Sequence, residues 1–348
     1  MDVLSQNSFS TNMEVLGPDI DEIRLGFINR GVKYHSCPWL RSVGAGRTAS
    51  IAAIIKKCKF WILASFAIFK IATDYDLIIG NNSGDALWAM AVFLARKPFY
   101  LWVHDDNMYT GLAMAIKATK PFVGHYIACS NSVERNLKDL LGSDIPITII
   151  FNGLSTIDWR PRVRQPVLSI GWIGSIEGRK DPLLYIDILQ KLQDSGVNFK
   201  ASMVYRVVDR DLEKIIKEKN AALSIGLDMI GAIQRDKVHS YLEYQDLIVV
   251  TSLSDPLPTV VLEAYRAGTP ILARNISSLK DMVDSGATGE LYESAHETVV
   301  QIQKIRDGFE NYSRQARIKF ERSFSIEEKV IKMQALLCPN ITNKQSAL

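Results

Sequence analysis

The sequence predicts an α/β protein with two parallel-sheet domains facing each other across a cleft. Short apolar runs alternate with helix-period stretches along the chain, the pattern of a parallel sheet covered on both faces. That alternation breaks once, over residues 152–166 (NGLSTIDWRPRVRQP), and then restarts. At 348 residues the chain can build two substantial cores.

In the first half the expected strands are Val32–Cys37, Asp76–Gly80, Phe99–Val103, His125–Cys129 and Ile147–Phe151. Helical periodicity fits Asp19–Asn29, Thr48–Ala72, Ala86–Ala95, Gly111–Lys120 and Val133–Leu141. In the second half the expected strands are Val167–Ile173, Lys200–Tyr205, Leu227–Ile230, Leu247–Val250, Ile271–Ala273 and Gly289–Tyr292. A charged amphipathic helical region, Thr298–Leu337, follows, and the residues from Pro339 onward read as frayed. The domain reading is 1–157, a linker at 158–166, a second domain at 167–322, and a helix at 323–338 packing back on the first domain.

Bulk properties narrow the classes. The chain is 47% hydrophobic and 23% charged, ordinary for a soluble α/β protein; its net charge of +3 excludes neither nucleic acid nor membrane and argues for no partner bound through a whole-surface basic field, and no nucleic-acid partner is expected. Cys37, Cys58, Cys129 and Cys338 form no CxxC pair, which fits reduced thiols and no metal site. With neither a signal-peptide pattern nor an apolar run long enough to span a bilayer, a cytoplasmic place is expected, peripheral on the inner face of the membrane in one reading. That reading comes from the stretch Lys33–Lys70, which carries seven basic side chains and no acidic one. Within residues 47–72, KKCKFWILASFAIFKIA is either an interfacial helix on an anionic membrane surface or a core helix whose lysines snorkel to solvent.

The chemistry concentrates in the second half. Dinucleotide binding and P-loop chemistry are disfavoured: Gly44-Ala-Gly46 lacks the third glycine and no Walker A loop occurs. The apolar run Asp246-Leu-Ile-Val-Val-Thr251 reads as a buried strand, followed by a loop and a helix over Pro258–Ala267 that Gly268 stops. This arrangement aims a helix N-terminus into the crevice at the carboxyl edge of a sheet, where phosphates bind. Asp255 and Glu263 bracket it. The strand LSIGWI leads into Gly174-Ser-Ile-Glu-Gly-Arg-Lys-Asp-Pro182, where backbone donors, Arg179 and Lys180 can meet an anion. Together these two loops suggest a nucleoside diphosphate gripped by cations and helix N-termini.

The run DLIVVTSLSDPLPTVVLEAYRAGTPILARNISSLKDMVDSGATGELYE resembles the signature region of family 4 retaining glycosyltransferases of the GT-B fold, glycosyl transferases group 1. The matches are Ser252, Pro258, Glu263, Ala264, Gly268 and Pro270, with Asp255 where the family usually has Glu, and further matches at Ala128-Cys-Ser130, Phe151-Asn152-Gly153, Gly231 and Thr288-Gly289. The resemblance implies GT-B architecture, two Rossmann-like domains, with a donor-binding C-terminal domain and an acceptor-binding N-terminal one. It implies that Glu263 accepts ribose hydroxyls, Asp255 holds the donor sugar, and backbone at Leu257, Thr259 and Val260 meets sugar and phosphate. Lys180 would neutralise the diphosphate and His104, in WVHDD, would face the donor sugar.

The implied reaction is metal-independent hexosyl transfer with retention, from a UDP- or GDP-sugar to a glycan or lipid-linked acceptor. It uses no cofactor beyond that donor, and closure about the linker would exclude water. A catalytically weak nucleotide-sugar-binding or scaffolding protein is the alternative. Four departures bear on donor identity: Ser175 stands where the family has its phosphate-binding arginine, Pro256 and Pro258 remove two amide donors, Asp255 is one methylene shorter than the usual Glu, and Ser8-Phe-Ser-Thr-Asn12 replaces a glycine-rich turn.

Overall fold

The computed structural model describes residues 14–17, 33–36, 51–105, 110–164, 166–223 and 225–337, with the side chains of 16–17, 35–36 and 51–61 outside that description. The expected helix Asp19–Asn29, the loops at Gly44 and Ser8, and the chain end beyond Leu337 all lie outside the described residues.

Two compact units result. The first draws on the described residues of 1–128, 137–150 and 330–348, the second on 129–136 and 151–329. In the first, β1 (Glu14–Gly17) pairs in parallel with β2 (Lys33–Ser36). Helix α1 (Ile51–Ala72) precedes a four-stranded parallel sheet ordered β3 (Ile78–Gly80), β4 (Phe99–Val103), β5 (His125–Ala128) and β6 (Ile147–Ile149). The expected helix at 86–95 is a 3₁₀ segment, Ser83–Trp88, running into α2 (Ala89–Leu94). Asn82 sets that start by accepting from Gly84 N–H at 3.0 Å. Helices α3 (Thr110–Thr119) and α4 (Asn131–Leu141) complete the alternation. Phe99, Leu101, Val103 and Ile127 are buried because β4 and β5 lie inside the sheet and face protein on both sides. The strand Glu14–Gly17 was not expected; EVLG is too short and mixed to carry a period.

The second unit holds a six-stranded parallel sheet in the order β12 (Gly289–Tyr292), β11 (Ile271–Arg274), β10 (Leu247–Val250), β7 (Leu168–Ile176), β8 (Phe199–Val207), β9 (Asp228–Gly231). Every pairing is parallel. Its helices are α5 (Pro182–Asp194), α6 (Arg210–Leu223), α7 (Lys237–Glu243), α8 (Thr259–Arg266), α9 (Ser277–Met282), α10 (Thr298–Asp307) and α11 (Phe309–Lys319). The strand order turns around at β7: β8 and β9 lie to one side, β10 to β12 to the other. The chain leaves β7 in one direction and β10 in the other, so the crevice at their carboxyl ends is a topological switch point, where open α/β sheets bind ligands.

The expected single helical region 298–337 is three helices, broken at Gly308 and by a π-type turn at Phe320–Phe324 that leads into α12 (Ile326–Leu337). Phe320 and Phe324, at the two ends of this turn, are both buried. Met333 of α12 is buried with Trp102, Ile127 and Ile150 of the first unit's core. No helix among the described residues is long and apolar enough to cross a membrane.

Residues 151–164 are irregular but pinned to the second unit. Trp159 Nε1 donates to Ala267 O at 3.3 Å, and Arg162 donates to Thr269 Oγ1 at 2.9 Å and to Gln245 O at 2.8 Å. Arg317 donates to Ile157 O at 2.8 Å. The Trp159 indole fills the space beside Gly268, which ends α8 with φ of 69°. A Cβ there would lie 2.4 Å from Trp159 Nε1 and 3.1 Å from Ser313 Oγ. Gly268→Ala is therefore expected to destabilise the protein by about 2 kcal/mol or more, from left-handed backbone strain plus displacement of Trp159. A shift of the urea midpoint together with altered Trp fluorescence checks this, and an unchanged midpoint would refute it.

Candidate functional site

The loop after β7 and the loop after β10 are laced together at the switch point. Trp172, buried in β7, donates its indole N–H to Thr251 Oγ1 at 3.0 Å, and Thr251 donates to the Lys180 carbonyl at 2.6 Å. Leu253 N–H donates to the Arg179 carbonyl at 2.9 Å. These bonds hold residues 178–180, a short 3₁₀ turn, against residues 251–255.

The side chains follow. Lys180 Nζ forms an ion pair with Asp255 Oδ2, and both groups are sheltered, 16% and 10% exposed. Arg179 lies 2.9 Å from Glu177 Oε1, 3.7 Å from Asp255 Oδ2, and donates to Ser254 O at 3.4 Å. Ser175 Oγ donates to the same Glu177 oxygen. That hydrogen bond, with the Arg179 and Lys180 charges, holds the Glu177 carboxyl below its ordinary range. Asp181 adopts φ of 45° and pairs with Arg274 at the end of β11, drawing the third strand edge into the same cluster.

Helix α8 points its N-terminus from this loop. Pro258 serves as its cap without a side-chain bond, and Val261 N–H is taken by the Pro258 carbonyl at 3.0 Å, so the amides of Thr259 and Val260 are the remaining donors of that turn. Thr259 is exposed while Leu257 and Val260 are buried, which makes the latter two a backing rather than a side-chain contact surface. Glu263 lies further along α8 and is half-buried. Burial pushes its carboxyl up, opposed by the Arg266 and Arg235 charges.

The structure thus gathers Ser175, Arg179, Lys180 and Asp255 into one cluster, sets Leu257, Thr259 and Val260 beside it on the same loop and helix start, and carries Glu263 on the same helix. His104 belongs to the other unit, at the end of β4, stacked on Trp102 (centroids 5.2 Å apart) with Nε2 3.3 Å from Asn81 Oδ1. Sequence reasoning did not assign Glu177, Asp181, Arg235 or Arg274. The alternating charges of Glu177-Gly-Arg-Lys-Asp181 were the available signal for the first two; Arg235 and Arg274 lie in segments with no such pattern, far in sequence from the groups they meet. Among the described residues no group of three His, Cys, Asp or Glu side chains could hold a metal ion.

Two Rossmann-like α/β units, one with a polar cluster at its switch point, define a GT-B fold protein. Residues 161–321, within the second unit, match the family described as "Glycosyl transferases group 1". Among curated relatives, glycogen synthase of Mycobacterium tuberculosis is 26% identical over 167 residues, covering 47% of this chain and 40% of the synthase. The putative teichuronic acid biosynthesis glycosyltransferase TuaC of Bacillus subtilis is 25% identical over 205 residues, covering 54% and 49%. The chain thus spans half or less of the length of these relatives. Of solved structures, HepE of Anabaena in complex with UDP and glucose superposes with a TM-score of 0.70 at 16% identity, covering 91% of this chain and 89% of that one. The lipopolysaccharide outer core galactosyltransferase WaaB, in its apo form, gives 0.73 at 16% identity, covering 96% and 92%.

The two carboxylates shift in opposite senses, which fixes the sign of their pH dependence. Glu177 has a lowered folded-state pKa, so its contribution is present above the ordinary carboxylate range and is lost as pH falls through the lowered value. Glu263 has a raised one, so its contribution is present at low pH and is lost as pH rises through the raised value. Glu177→Gln should lower the melting temperature at neutral pH and approach wild type in acid. Glu263→Gln should instead gain on wild type as pH rises. Shifts of the same sign in both variants would contradict these assignments.

Proposed function

We propose that this protein is a family 4 retaining, metal-independent glycosyltransferase that moves a hexose from a nucleoside-diphosphate sugar, with uridine or guanosine as the nucleoside, to an acceptor hydroxyl. The observation that carries the reading is the Lys180–Asp255–Arg179 cluster beside the N-terminus of α8 at the switch point of the sheet. The matched family and the relatives described above support it, and the naming of TuaC favours an acceptor that is a glycan or lipid-linked glycan of envelope or extracellular polysaccharide synthesis.

In this reading the diphosphate competes with Asp255 for Lys180. The ammonium turns to the leaving phosphate, and Asp255 is released to accept hydroxyl hydrogen bonds from the sugar. Arg179, whose guanidinium already faces Asp255, supplies the second cation where Ser175 cannot. The amides of Thr259 and Val260 add donors at the positive end of α8, so charge developing on the leaving group is met by groups fixed before reaction. Glu263, whose carboxyl is pushed up by burial against the opposing Arg266 and Arg235 charges, accepts hydrogen bonds from ribose hydroxyls. The C1–O bond to phosphate breaks, the acceptor oxygen bonds to C1 on the same face, and the acceptor proton passes to the leaving phosphate. For His104 the resemblance implies a role at the donor sugar.

A second reading has one observation behind it. Ser175 at the family's arginine position is bonded to Glu177, an acid that also engages Arg179, which lowers the positive charge available to a diphosphate. A nucleotide-sugar-binding protein with weak turnover fits that arrangement.

Nucleoside-diphosphate release screened over UDP-, GDP- and ADP-sugars separates the two. Turnover that persists in EDTA, and falls about 10²–10³-fold in Lys180→Ala and Glu263→Ala, supports the enzyme. Nucleotide binding without turnover supports the second reading, and wild-type protein that neither binds nor turns over any donor removes both.

A further inference from the structure

Helices α1 and α2 of the first unit pack against each other and have apolar outer faces as well as apolar inner ones. On α1, Ala64, Ile68 and Ala72 are buried, as a core-facing stripe should be, yet Ile62, Leu63 and Phe66 on its other side are 71%, 60% and 58% exposed. On α2, Ala89, Ala91 and Val92 are buried, while Met90, Phe93 and Leu94 are 52%, 53% and 63% exposed. A surface helix ordinarily turns polar residues outward. Six large apolar side chains thus face outward on two helices that pack together, an exposure of the kind that marks an interaction site. Phe93 extends it by packing on Phe122, with ring centroids 5.2 Å apart.

Its electrostatic surroundings identify the partner. Lys70 Nζ lies 4.9 Å over the Phe66 ring, and Arg96 and Lys97 follow Phe93 and Leu94 in the chain after Ala95. The same helix α1 carries Lys56, Lys57 and Lys59 in its sequence, and no acidic residue occurs between Lys33 and Lys70. Aromatic and aliphatic side chains with a basic rim match an anionic bilayer surface, where the apolar groups enter the acyl boundary and the cations meet the headgroups. A second copy of the chain is a poorer partner, because a self-complementary contact brings the two basic rims together.

We infer that the outer face of α1 and α2 docks on an anionic lipid surface, holding the N-terminal unit at a membrane. The inference concerns lipid binding and stands or falls separately from the glycosyltransferase reading.

The test is co-sedimentation of the full chain with vesicles of phosphatidylcholine alone or with added phosphatidylglycerol, at low and high salt. The expected result is binding that requires the anionic lipid, weakens with salt, and falls at least about tenfold in Phe66→Glu/Leu94→Glu, while Phe66→Leu binds as wild type. A circular-dichroism melt of the double variant that matches wild type shows that the face is open. Three results overturn the inference: binding that ignores phosphatidylglycerol or the double substitution; a dimer by light scattering that the substitution abolishes with no vesicle binding; and no vesicle binding with a destabilised double variant, which indicates a face covered by the chain itself.

Discussion

The Lys180–Asp255 ion pair is the contact around which the edge of the C-terminal sheet is arranged. A sheltered lysine and aspartate are costly to remove from water, and their attraction offsets that cost only while the two loops are held at fixed separation. The protein meets this condition with backbone. Trp172 in the strand core donates to Thr251, Thr251 donates to Lys180 O, and Leu253 donates to Arg179 O, so both loops are fixed before the charges are considered. Asp181 and Arg274 extend the lacing to the next strand end. The pair is therefore a property of strand order, since β7 and β10 are neighbours only because the sheet reverses direction at that point.

That arrangement also explains how a departure at one position can be accommodated. Ser175 is too short to bring charge to the crevice. It bonds Glu177 instead, and Glu177 holds Arg179 beside Asp255. A guanidinium is thus delivered to the cluster from a different backbone position, at the expense of an additional carboxylate nearby. The N-terminal unit follows a different economy. Its sheet buries Phe99, Leu101 and Ile127 in the ordinary way, but its first two helices leave aromatic and aliphatic groups facing outward with a cationic margin.

The strands and helices of the C-terminal half were legible because parallel-sheet strands are continuously apolar and their helices carry clear stops. Leu247–Val250 and Gly289–Tyr292 fall where the apolar runs place them, and α8 ends at Gly268 as the pattern requires. The misses have local physical causes. EVLG at β1 is too short for a period. The helix at 83–94 begins as a 3₁₀ turn because Asn82 captures Gly84 N–H, and the long C-terminal helix is interrupted at Gly308 and over Phe320–Phe324, where side-chain periodicity carries no marker of a change in backbone pitch. Residues 152–166 read as a linker for want of apolar period; Trp159 and Arg162 nonetheless fasten that stretch to the second unit, through polar bonds that periodicity does not register.

By itself the sequence determined the class of element at most positions, the grouping of Asp255, Pro258, Glu263 and Gly268 on one strand-loop-helix unit, and the candidacy of Arg179 and Lys180, because these depend on residue type and spacing within a short segment. The tertiary structure decided what those groups touch: that Lys180 pairs with Asp255, that Glu177 links Ser175 to Arg179, and that Arg274 reaches Asp181. Such contacts join residues far apart in the chain, and they exist only after the order of parallel strands has been chosen. Strand order is set by crossover packing over the whole sheet, which no local pattern encodes.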